Sequence, residues 1–167
     1  ADALVAKVAE RVEKLVIGDG TDAASEMGPL ITREARDRVA SYVTGAAAEG
    51  GTVVIDGTTQ TFDADGFFIG VSLVDHVKPG MRVYEDEIFG PVLAIIPFDS
   101  EDEALAIAND TIYGLTNYVQ TQDGARRNRL ARQLRAGMIE TNGQSRARGS
   151  AFGGVKASGR AREGGVW

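Results

Sequence analysis

Glu85-Asp86-Glu87-Ile88-Phe89-Gly90-Pro91-Val92-Leu93-Ala94-Ile95-Ile96 is the stretch on which the fold turns. Pro91 fixes its own φ, lacks an N–H and pushes Gly90 towards extended backbone, so it marks the entrance to a strand. The apolar run from Val92 to Ile96 predicts a strand buried on both faces, as in a parallel sheet covered by helices. Two carboxylates and an aromatic just before such a strand stand at a rigid edge, where a ligand can be held. The plainer alternative is an acidic loop beside a core phenylalanine, and spacing alone leaves the two equal.

Upstream, Phe67 to Leu73 reads as a second apolar strand, joined to the central stretch by a loop through Pro79-Gly80. Thr52 to Ile55 reads as a short strand. Before it, Thr32 can cap a helix running to about Glu49, with Ala35, Val39, Tyr42, Val43 and Ala46 on its buried side and Gly50-Gly51 ending it. Residues 21–31 form a loop around Gly28-Pro29. Leu4, Val5, Val8, Val12, Leu15 and Val16 recur at helical spacing, which predicts an amphipathic helix over 3–16. The chain enters that helix with no lead-in, as expected of a segment continuing something upstream.

Downstream, Ser100 to Glu103 has the form of a capping box. The helix it opens buries Ala104, Leu105, Ile107 and Ala108, with Asn109 as a left-handed final residue. Thr116 to Thr121 alternates as a strand does. Asp123 caps a further helix with Leu130 and Leu134 inward and Arg127, Arg129, Arg132 and Arg135 on a solvated face. Gly137 stops it and Met138 to Asn142 forms another strand. Helices alternating with short strands predict an α/β fold with an open, mainly parallel sheet and helical crossovers. Trp167 leaves no room for a further strand, which again suggests truncation.

A chain of 167 residues suits one domain with a proper core. Its net charge of −6 argues against nucleic-acid or anionic-membrane partners, although basic residues cluster over 126–135 and 146–162. The absence of cysteine excludes disulfides, thiolate metal sites and a cysteine nucleophile within the chain. No apolar stretch reaches membrane-span length and no secretory pattern opens the chain, so a cytoplasmic protein is expected. His76, the single histidine, has no Ser, Cys or second His nearby and reads as a surface or capping residue. Asp63-Ala64-Asp65-Gly66 starts like a calcium loop, but Phe67 and Val74 occupy ligand positions, so these are turn residues. The glycine-rich stretch Phe152 to Gly159 lacks P-loop spacing and reads as a flexible segment folded closely over neighbouring backbone.

Glu87-Ile88-Phe89-Gly90-Pro91, Asn109-Asp110-Thr111-Ile112-Tyr113-Gly114-Leu115, and Phe152 to Gly159 followed by Arg162-Glu163-Gly164-Gly165 form an ordered set. Together with Gly28-Pro29 and Gly66-Phe67, the set resembles the NAD(P)-dependent aldehyde dehydrogenases over essentially the whole chain. The resemblance implies that 1–167 is a C-terminal segment of that family's catalytic domain, lacking the upstream cofactor domain, general base and cysteine nucleophile. The full enzyme would oxidise an aldehyde to a carboxylic acid with NAD or NADP through a cysteine thiohemiacetal and thioester, as a homodimer or homotetramer. The chain alone is expected to be inactive.

By the same resemblance Glu87 accepts hydrogen bonds from the nicotinamide ribose, Phe89 packs near the nicotinamide ring, and Phe152 walls the substrate pocket. A carboxylate offers two oxygens to two vicinal hydroxyls, which suits that role. Arg38 lies near a helix position that sometimes contacts the ribose, although its neighbours match poorly. The loop from Gly143 to Ala151, where members differ by substrate, carries Arg146 and Arg148. They are either solvated or favour an aldehyde that bears a carboxylate. Ala151 stands where a proline is usual and Ala161 where a glycine is usual. The alternative function is a stand-alone binding or oligomerisation module with the same fold.

Overall fold

The computed structural model describes residues 1–144 and 146–165, so Trp167 lies outside the described residues. Where length predicted one core, the backbone separates into two compact units, Ala1–Pro97 and Phe98–Trp167.

In the first unit, helix α1 (Asp2–Glu13) fully buries Val5 alone of its apolar stripe. Helix α2 (Arg33–Ala46) begins as expected, with the Thr32 hydroxyl accepting from the Ala35 N–H at 3.1 Å. It buries Val39, Tyr42, Val43 and Ala46. Strands β1 (Thr52–Ile55), β2 (Ser72–Asp75) and β3 (Val92–Ala94) form one sheet in that order, β1–β2 antiparallel and β2–β3 parallel. The single-turn helix α3 (Arg82–Glu85) connects β2 to β3. The core gathers Tyr42, Ala46, Val74, Val77, Met81 and Val83, with Ile88 and Val92 packed against it.

Two strand expectations are corrected. The strand covered on both faces is β2, where Leu73 and Val74 are wholly buried, and not β3, where Leu93 is 46% exposed. Among the described residues β3 pairs with β2 alone, and its apolar run extends past the three residues that pair. The strand expected over Phe67 to Leu73 begins at Ser72, because the ladder starts where Val92 stands opposite. Phe67 forms an isolated bridge with Leu30 and belongs to no ladder.

In the second unit, helix α4 (Glu101–Asn109) precedes β4 (Thr116–Val119), helix α5 (Gly124–Gln133) and β5 (Met138–Thr141). β4 and β5 pair in parallel, with α5 as the crossover between them. Asp123 caps α5 by accepting from the N–H groups of Ala125 and Arg126, as the sequence predicts. The capping box of α4 is half formed. Ser100 accepts from the Glu103 N–H at 3.1 Å, while the Glu103 carboxylate takes the Asp99 N–H at 2.8 Å instead of that of Ser100.

Asn109 is the last helical residue, not a left-handed stop, because its amide is used elsewhere. It donates to the Gln133 carbonyl at 3.0 Å and accepts from the Arg135 N–H at 2.7 Å, tying the end of α4 to the end of α5. Arg129 is likewise not simply solvated. It forks onto Glu101 at 2.7 and 2.9 Å beside a third bond from Arg126 at 2.8 Å. These guanidinium groups hold the Glu101 carboxyl below its usual range; the Arg129 bond is the chief cause, partial desolvation opposes it and Arg126 reinforces it.

Among the described residues no helix is long and apolar enough to cross a membrane, and no group of acidic or histidine side chains could hold a metal ion. Asp63 to Gly66 forms bends, as expected of turn residues.

Candidate functional site

The turn from Asp86 to Gly90 is built by alternation. Ile88 points inward and packs on the core of the first unit, which leaves Glu87 and Phe89 facing out. Phe89 is 78% exposed, and Glu87 has no hydrogen bond or ion pair on its carboxylate among the described residues. Burial therefore locks the middle residue and frees its two neighbours.

Phe89 has φ 55°, a left-handed backbone that a bulky side chain adopts at a cost of about 1–3 kcal/mol. An exposed aromatic gains little burial in return. Such strain persists only where the surroundings over-determine it, and it clusters at ligand sites.

Those surroundings come from α2. Arg38 donates from Nη1 to the Ile88 carbonyl at 2.8 Å, and Tyr42 donates from its hydroxyl to the Asp86 carboxylate at 2.9 Å. Val39 lies between them, and a Cβ on Gly90 would sit 2.4 Å from its Cγ2. Only a glycine lets the turn approach α2 this closely. The guanidinium of Arg82 stacks over the Tyr42 ring at 4.4 Å, covering the other face of that anchor.

The other two motif stretches lie in the second unit, and they meet each other. The Gly114 carbonyl accepts from the N–H groups of both Gly137 and Val155, and the Gly114 N–H donates to the Ser158 hydroxyl. The Ala157 N–H donates to the Ile112 carbonyl at 2.9 Å. Lys156 donates from Nζ to the carbonyls of Asn109 at 3.0 Å and Thr111 at 2.9 Å. The glycines serve contact, as the sequence predicts: a Cβ on Gly137 would stand 1.9 Å from the Gly153 oxygen, and one on Gly153 2.1 Å from the Ala161 oxygen. Lys156 is thus a structural tie.

Phe152 opens this segment and exchanges backbone bonds with Glu163 at 2.8 and 2.7 Å. Arg146 covers its ring at 5.0 Å and also lines a cleft of about 350 Å³ with Glu140, Thr141, Ser150 and Ala151. Phe152 itself is not in that wall. Arg146 and Arg148 are both exposed, and Arg146 in addition stacks on the Phe152 ring. Ala161 is exposed, so its methyl is accommodated where a glycine is usual.

His76 is exposed beside Asp75, as expected of a surface residue. Glu87 and Phe89 lie in the first unit and Phe152 in the second. Tyr42 reads in the sequence as a core residue, and nothing in spacing signals its bond to Asp86.

The comparisons with known proteins agree on one family. Residues 1–167 match the profile of the "Aldehyde dehydrogenase family". A betaine aldehyde dehydrogenase of Brucella anthropi is 41% identical over 166 residues, which are 97% of this chain and 34% of that protein. A malonate-semialdehyde dehydrogenase of Pseudomonas aeruginosa is 38% identical over 144 residues, 85% of this chain and 29% of that protein. A Mycobacterium tuberculosis aldehyde dehydrogenase solved with NAD+ superposes with a TM-score of 0.92 at 41% identity, over 98% of this chain and 34% of that one. The chain thus spans about a third of the length of these relatives.

Proposed function

Since the chain belongs to the aldehyde dehydrogenase family, we propose that it supplies the nicotinamide-ribose contact and part of the substrate pocket of an NAD+- or NADP+-dependent enzyme that oxidises an aldehyde to a carboxylic acid. When bound, the nicotinamide accepts the hydride leaving the aldehyde carbon. The residues here fit that group. Glu87 presents an unengaged carboxylate able to accept from two vicinal hydroxyls, and Phe89 presents an exposed ring beside it. Phe152 is assigned to the substrate pocket by the family resemblance; it stands behind the cleft wall, stacked under Arg146, which does line that cleft.

The observation that carries this reading is the exposed pair on a rigid turn, with Phe89 held at φ 55°. The longer dehydrogenases that match most of the chain favour this reading over a stand-alone binding or oligomerisation module. The chain contains no cysteine, so the nucleophile belongs to another part of the polypeptide and this segment alone oxidises nothing. A cytoplasmic homodimer or homotetramer belongs to the same reading, supported by family membership alone.

The test is Glu87→Gln in the full-length polypeptide. A charge-assisted bond contributes about 1.5–3 kcal/mol, so hydride transfer in a single turnover should slow roughly ten- to hundredfold. The cofactor dissociation constant should move far less, because the contact aligns the ring for hydride transfer and is felt chiefly in the transition state. An unchanged single-turnover rate would overturn the assignment.

A further inference from the structure

We propose that helix α2 acts as a clamp that sets the direction of Glu87 and Phe89, with Arg38 and Tyr42 as its positioning residues. The proposal rests on the reading of that turn as the cofactor contact.

Arg38 and Tyr42 stand one helical turn apart on the same face and grip the turn at alternate residues, Asp86 by its side chain and Ile88 by its carbonyl. Glu87 is the residue between those two grips. Phe89 follows the second, and Gly90 rests on Val39 between the two arms. The grips therefore alternate with the residues that face out. Neither Arg38 nor Tyr42 needs to touch the cofactor to matter. Freeing either grip would let the peptide units around Phe89 relax towards ordinary backbone, because a left-handed aromatic has no preference of its own for φ 55°. Relaxation would turn both outward side chains, and displacement of a positioned group by about 1 Å can cost up to roughly a hundredfold in rate.

The test compares Arg38→Met and Tyr42→Phe with Glu87→Gln in the full-length polypeptide, with two readouts. The first is amide hydrogen exchange over 86–92 in the absence of cofactor, where a direct ribose contact by Arg38 plays no part. Both clamp variants should raise exchange there by about tenfold, and Glu87→Gln should leave it unchanged. The second is single-turnover hydride transfer, which should slow by about tenfold in Arg38→Met and recover in part in Arg38→Lys, whose ammonium can still reach a carbonyl. Wild-type exchange over 86–92 in both clamp variants would overturn the proposal, whatever Glu87→Gln does. An unchanged rate in Glu87→Gln alongside raised exchange in the clamp variants would sink the cofactor assignment instead and leave the clamp standing.

Discussion

Replacing Gly137 by alanine tests the seam where three stretches of the second unit meet. The added Cβ would lie 1.9 Å from the Gly153 oxygen and 2.8 Å from the Gly154 Cα. Both are backbone atoms, so no rotamer can swing away, and the Phe152 to Gly159 segment must move. Its docking rests on five hydrogen bonds: Val155 to Gly114, Ala157 to Ile112, Gly114 to Ser158, and two from Lys156. At about 0.5–1.5 kcal/mol net each, with the exposed ones at the low end, undocking forfeits roughly 3–5 kcal/mol. Hydrogen exchange at the Val155 and Ala157 amides of the full-length polypeptide should therefore quicken by about a hundred- to several thousandfold. Gly124→Ala is the control, since its Cβ would find nothing nearer than the tip of Arg127 at 4.0 Å. Wild-type protection of both amides in Gly137→Ala would refute the backbone-contact argument.

Further outcomes are expected elsewhere. Phe89→Gly should be more stable than Phe89→Ala by up to about 1 kcal/mol, since glycine relieves a left-handed strain of about 1–2 kcal/mol and gives back about 0.5–1 in chain entropy. In the full-length polypeptide both are expected, on the proposed function, to slow single-turnover hydride transfer, with stability read by unfolding midpoints; an alanine variant the more stable of the two would contradict the strain. Glu101 has its folded-state pKa depressed, so its contribution is present above the unfolded value of roughly 4.3 and disappears as pH falls through the folded value. Thermal stability of Glu101→Gln should accordingly fall less steeply below about pH 4.5 than that of wild type, and parallel curves would count against the Arg129 fork.

Much of this architecture is legible in the sequence, because it depends on neighbours a few residues apart. Thr32 and Asp123 announce their helices by side chains that reach the next turn, whereas α2 stops at Ala46, before the Gly50-Gly51 pair expected to end it. The motifs likewise gave Glu87 and Phe89 by position, and both do face out. What stayed hidden depends on partners far along the chain. Leu93 looks like a core residue until the strand order leaves β3 at an edge. Asn109 looks like a helix stop until Gln133 and Arg135 claim its amide across 24 and 26 residues. Arg38 reaches Ile88 over a separation of 50, which no local pattern encodes.

The left-handed Phe89 carries one more implication, for its chirality. Inverting the Cα of residue 89 would make φ 55° comfortable, because the mirror-image residue prefers that region. It would also exchange the places of Cβ and hydrogen, sending the ring off along a different vector. Discomfort and aim thus arise from a single stereocentre, and no residue that eases the one can preserve the other.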